Sequence, residues 1–116
     1  YEDEIARGFD AALPCFDLCW LGLGADGHTA SLFPGTAALA ERTRACVACW
    51  VPQLDAWRLT LTLPALARSR EIVFLVSGAE KAGAIRRVLA RDTDLPATQV
   101  ASRAGVLRWM LDRAAR

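Results

Sequence analysis

The sequence of 116 residues has one histidine, one lysine, one methionine and one tyrosine, and a net charge of only +1 at neutral pH. Each shortage excludes something. A charge so close to zero supplies no field for nucleic acid or for an anionic membrane surface. No apolar run approaches the roughly 18–20 residues of a membrane-spanning helix, because Asp17, Asp26, Arg58 and Glu71 interrupt every candidate. The opening Tyr-Glu-Asp-Glu is acidic where a secretory signal is basic. The only Met is Met110, so residue 1 is not expected to be a translation start and the chain reads as trimmed or fragmentary.

Hydrophobic residues make up 53% of the chain, enough to build a core and too many for disorder, and the length suits a single domain over residues 1–116. Charge is unevenly divided. Residues 1–40 carry six acids against Arg7 alone, and residues 41–116 carry seven acids against thirteen bases. All bases but Lys81 are arginine, which reads as solvated helix faces or, alternatively, as one or two cations that hold an anion. The four cysteines form two close pairs, Cys15/Cys19 and Cys46/Cys49. Both pairs sit in strand-like apolar runs, and residues three apart on a strand face opposite sides, so Cys46 and Cys49 do not converge on a metal. Buried free thiols in a reducing cytoplasm are expected, with no metal.

Apolar periodicity predicts a short amphipathic helix over 1–12, ended by Pro14, and a nearly all-apolar strand over 16–23 that is covered on both faces. A glycine-rich turn follows, then a short helical turn from His28 and a helix over 37–44. Strands are expected over 46–51 and 58–63, the second with Leu59, Leu61 and Leu63 alternating against Thr60 and Thr62. A single helical turn over 64–69 precedes an apolar strand over 72–76. A helix over 80–91 turns Ala84, Ile85, Val88 and Leu89 inward, and after a loop at Pro96 a last strand spans 106–111, followed by a stub of helix. Strands alternating with helices argue for an α/β fold with a mainly parallel sheet flanked by helices, a Rossmann-like three-layer arrangement or part of one.

The chemistry concentrates where the first strand ends, in Gly22-Leu-Gly-Ala-Asp-Gly-His-Thr-Ala-Ser-Leu-Phe-Pro-Gly35. Ligands of open parallel sheets bind beyond the carboxyl ends of the strands. Gly24 and Gly27 let the backbone approach a ligand closely. Asp26 and His28, two apart, can meet at one point, and a helix starting at Thr29 would aim free N–H groups at an anion there. The glycines spell G-x-G-x-x-G, but Pro34-Gly35 stops the following helix and no acid stands about 20 residues on, so a dinucleotide site fits badly. Ser31 lacks the flanks of a nucleophile elbow.

This loop resembles the signature of the glucosamine-6-phosphate isomerase/6-phosphogluconolactonase family, and further matches follow in Arg58–Thr62, Phe74–Gly78 with Lys81, Leu95–Ala97, Trp109…Asp112 and the opening Tyr1-Glu2. Phe33 stands where the isomerase branch has a glutamate, and a phenyl ring transfers no protons, so the deaminase reading weakens. The resemblance implies an α/β fold of which this chain is the C-terminal half, cofactor-free hydrolysis of 6-phosphoglucono-1,5-lactone in the pentose phosphate pathway, and a sugar-phosphate lactone as the partner. It implies His28 as general base with Asp26 orienting it, Gly24, Gly27 and Thr29 lining the substrate, and Arg58 and Lys81 reaching the phosphate. From position alone, Asp26 and Thr29 are also turn caps, and Arg58 and Lys81 surface charges. A non-catalytic sugar-phosphate-binding remnant is the competing expectation, and an open sheet would favour self-association.

Overall fold

The computed structural model describes residues 1–101 and 103–116. Helix α1 (Glu2–Phe9) leads to strand β1 (Leu18–Leu21) and then, past the glycine loop, to a 3-10 turn at Ala37–Ala40. Strands β2 (Cys46–Val51) and β3 (Ala56–Leu61) form an antiparallel hairpin, closed by a 3-10 turn at Pro52–Leu54. Helix α2 (Leu63–Ala67) precedes strand β4 (Glu71–Val76). A 3-10 turn at Ala79–Lys81 opens helix α3 (Ala82–Leu89), and helix α4 (Pro96–Ala101) precedes strand β5 (Val106–Leu111).

The parallel sheet is β1-β4-β5, with Leu21 opposite Phe74 and Phe74 opposite Trp109. The hairpin is a separate two-stranded sheet, so among the described residues the mainly parallel expectation holds for three of the five strands. Alternation along the strands sends Leu21, Ile72, Phe74 and Val76 into the core with Leu32, Leu63, Leu66, Ile85, Val88, Leu95 and Val100. Phe74 is wholly buried and stacks on Trp109, centroids 4.1 Å apart. The opposite face of the sheet is open: Leu18, Trp20, Leu75, Val106 and Met110 are all exposed, with the Glu71–Arg108 ion pair among them. The first strand is therefore covered on one face only, and is shorter than expected.

Other expectations fail for local reasons. No helix forms after His28, because Ala30 takes φ 51° and Thr29 and Leu32 bridge across a two-residue turn. The helix over 37–44 shrinks to the 3-10 turn, since the Glu41 carboxylate draws in the N–H groups of Arg42, Thr43 and Arg44 and ends it. In β3 the threonine side faces inward: Thr60 is buried and Leu59 is 54% exposed. Leu89 is also turned out. The loop at Pro96 is a helix, with Pro96 its first residue, where a missing N–H costs nothing. No helix follows β5. Cys46 and Cys49 are buried free thiols as expected, but Cys15 is exposed, its Sγ–H donating to the Arg68 carbonyl at 3.2 Å.

Candidate active site

The parallel register puts the carboxyl ends of β1, β4 and β5 on one edge. From that edge emerge Gly22–His28 after β1, Ser77–Lys81 after β4 and Asp112 after β5. The last two are tied together. The Gly78 N–H, on a residue at φ 101°, donates to Asp112 Oδ2 at 3.1 Å, and the Asp112 N–H to the Val76 carbonyl at 3.2 Å.

The glycine loop folds on itself through its own backbone. The Gly24 N–H donates to the His28 carbonyl at 2.8 Å and the Gly27 N–H to the Gly24 carbonyl at 2.9 Å. The buried Thr29 hydroxyl donates to the Gly22 carbonyl at 2.8 Å, so Thr29 is a brace of the loop. Gly27, at φ 85°, packs against Leu95, and its carbonyl accepts the Ala97 N–H at 3.1 Å, which pins the loop to α4. Within this frame Asp26 Oδ1 takes the His28 N–H at 3.1 Å and lies 2.7 Å from His28 Nδ1. An ionised carboxylate only accepts, so Nδ1 carries the proton, and in the neutral ring Nε2 keeps its lone pair. Burial pushes the Asp26 carboxyl up, but the His28 backbone N–H and ring outweigh it and hold the group below the ordinary aspartate value. The imidazole is about one-third exposed (32%), within reach of solvent and of a ligand.

The free helix N–H groups expected at Thr29 are not there. The amides of Gly24, Gly27, His28 and Thr29 are spent inside the loop and that of Asp26 on its own carboxylate, which leaves that of Ala25 as a candidate donor to a developing oxyanion. Lys81 shares the sheet edge with His28; its Nζ stands 3.8 Å from Glu80 Oε1, a loose pairing. Arg58 comes from elsewhere. It lies exposed on β3 opposite Cys49, two residues from Thr60, and so on the same face of the hairpin. The Thr60 hydroxyl accepts the Ser31 N–H at 3.1 Å, which ties that face to the loop. Gly24, Asp26, Gly27, His28 and Thr29 are thus one unit, Lys81 stands at the same edge, and Arg58 lies on the hairpin face that Thr60 ties to the loop.

The sequence profile of the glucosamine-6-phosphate isomerases/6-phosphogluconolactonase family matches residues 1–109. The chain belongs to this family. The 6-phosphogluconolactonase of Rattus norvegicus is 40% identical over 118 residues, covering 99% of this chain and 46% of that protein. That of Synechocystis is 43% identical over 122 residues, covering 99% and 49%. The solved structure of the 6-phosphogluconolactonase from Trypanosoma cruzi superposes with a TM-score of 0.84 at 31% identity, over 99% of this chain and 48% of that one. The chain spans about half the length of the curated relatives it matches.

In this family member two contacts escape a reading of the sequence. Phe33 stacks on the His28 ring, centroids 4.1 Å apart and planes 23° from parallel. The signal was the two-residue turn between Thr29 and Leu32, which makes residues 28 and 33 a cross-strand pair. Ala in place of glycine at Ala30 hid that turn. The Thr60–Ser31 hydrogen bond, for its part, explains why Thr60 of β3 faces inward: a loop amide there needs an acceptor.

Proposed function

We propose that this family member hydrolyses 6-phosphoglucono-1,5-lactone to 6-phosphogluconate, with His28 as the general base. The observation that carries the reading is the Asp26–His28 pair: with Nδ1–H engaged at 2.7 Å, the imidazole is held in the tautomer that offers Nε2 to a proton. A δ-lactone is an activated ester, so water attacks it directly. Nε2 takes a proton from the water as its oxygen bonds to the carbonyl carbon, and Asp26 balances the imidazolium that results. The tetrahedral oxyanion is met by the amide of Ala25. When it collapses, the bond from that carbon to the ring oxygen breaks, and the imidazolium returns its proton to the departing oxygen. The products are the carboxylic acid, which ionises, and the freed hydroxyl. Arg58 and Lys81 take the phosphate, Gly24 and Gly27 shape the floor, and Thr29 holds the loop.

Lactone hydrolysis by the intact protein carrying this chain, followed at pH 7 with the spontaneous reaction subtracted, tests this. His28→Ala is expected to lose about 10²–10⁴-fold in rate while staying folded. A variant that keeps the wild-type rate removes His28 from the role. A wild type that shows no turnover, yet melts at a higher temperature with 6-phosphogluconate, makes the protein a sugar-phosphate binder instead.

A further inference from the structure

Phe33 is 5% exposed, and one face of its ring is spent on the imidazole of His28. The chain goes to some length to put it there. Thr29–Leu32 closes a turn whose first central residue, Ala30, has a positive φ of 51°, a conformation an L side chain adopts at a cost. Immediately after, Phe33-Pro34-Gly35-Thr36 makes a second turn, with proline at its first central position and Gly35 at φ 76° in its second. The Phe33 carbonyl takes two hydrogen bonds from Thr36, the N–H at 3.2 Å and the hydroxyl at 2.8 Å. Two tight turns therefore flank Phe33, and its own carbonyl is clamped.

We propose that Phe33 is a positioning residue for His28: its ring closes one face of a slot in which the imidazole can present only Nε2. The other boundary is Gly24, whose missing Cβ would occupy the place taken by Nδ1 and Cε1 of the ring. Asp26 fixes the Nδ1 edge at 2.7 Å. Rotation of the imidazole about its own axis drives an edge into Phe33, so the Nδ1–H···Oδ1 contact survives only while the stack does. The Asp26 hydrogen bond alone constrains one atom; the phenyl face constrains the plane. The inference deepens the general-base reading and rests on it for its kinetic consequence, but the arrangement of the ring is observable without turnover.

His28 is the only histidine of the chain, so nitrogen-15 spectra of histidine-labelled chain report its tautomer without ambiguity. The wild type is expected to show a single Nδ1–H form in the neutral state, with ring protons shifted upfield by the phenyl current. Phe33→Leu is expected to give a mixture of tautomers, and Phe33→Tyr to restore the single form. Thr36→Val, which keeps the phenyl ring and removes one donor to its carbonyl, is expected to give a smaller admixture, and serves as the readout should the leucine variant unfold. In lactone hydrolysis, Phe33→Leu is expected to lower kcat about 10–100-fold with little change in KM, the cost of a base held out of line. A folded Phe33→Leu that keeps the single Nδ1–H form overturns the proposal, as does a Thr36→Val chain with unaltered tautomer and ring shifts if the leucine variant unfolds. Mixed tautomers in a protein whose wild type shows no turnover uphold the positioning role and sink the lactonase reading.

Discussion

Gly24 shows how one residue type serves an end other than the one its sequence context advertises. In a glycine-rich turn the expectation is close approach to a ligand. In the structure the space that Gly24 leaves is filled from within, by Nδ1 and Cε1 of His28 and by Asp26 Oδ1 at 2.5 Å from where a Cβ would stand. Gly27 is different again, needed for its φ of 85° and for its packing on Leu95. Gly22, with nothing within 4 Å of an added Cβ, needs neither. Gly24→Ala is therefore expected to expel the imidazole from its slot and to cut lactone hydrolysis by about 10²-fold, the cost of misplacing a catalytic group by about an ångström. Gly22→Ala is expected to keep the rate. Parallel activity and melting measurements on the two variants check this; equal rates would show that the imidazole finds its place without the vacancy.

At the scale of elements, what could be read in advance depended on how local the cause was. The strands at 46–51, 72–76 and 106–111 were legible because apolar and β-branched runs bounded by turn residues have few other solutions. The Asp26–His28 pairing was legible for the same reason, being made within three residues. Helix α4 was not, since Pro96 punctuates a loop and opens a helix equally well. The inward side of Thr60 in β3 was hidden because the reason for it, the Ser31 amide, comes from a segment 29 residues away. The link from α1 to β2 is equally non-local. Glu2 Oε2 accepts from Arg44 Nη2 at 2.8 Å, Glu2 Oε1 accepts the Ala45 N–H at 3.0 Å, and Glu41 gathers three successive backbone N–H groups just before the strand. The hydrogen bond from Arg44 lowers the Glu2 carboxyl from its ordinary value, and the backbone donors take Glu41 down to about 2. A carboxylate with a depressed folded-state value stabilises the fold above its unfolded value of 4.5 and ceases to as pH falls through the folded one. The junction is thus expected to stay closed at pH 4 and to open between about pH 4 and 2. Amide resonances of Arg42, Thr43 and Arg44, followed through an acid titration, should move with a midpoint near 2; a midpoint at the ordinary glutamate value would remove the nest of donors from Glu41.

The whole molecule is a sheet dressed on one side. Parallel strands are ordinarily buried on both faces, because the crossovers lay helices over each. Here α3 and α4 cover the face that holds Phe74 and Trp109, while Trp20 is 57% exposed, Leu75 59% and Met110 50% on the other. The register places these side by side: Trp20 opposite Val73, and Leu75 opposite Met110. They form an apolar strip interrupted by the Glu71–Arg108 pair, and the outer sides of β1 and β5 are free strand edges among the described residues. Apolar area of this kind is stabilised by removal from water at about 25 cal/mol per Å², whichever chain supplies the cover. A monomer in isolation therefore exposes what a second copy can hide, and the 116-residue chain is expected to self-associate, its sedimentation coefficient rising with concentration. Trp20→Thr combined with Met110→Thr leaves the core of Phe74, Leu66 and Val100 untouched, so the doubly substituted chain should melt within about 1 kcal/mol of the parent, as surface changes do, while sedimenting as a monomer at every concentration. A parent chain that is monomeric throughout would mean that the Glu71–Arg108 pair at the centre of the strip keeps the face wet enough to stand alone.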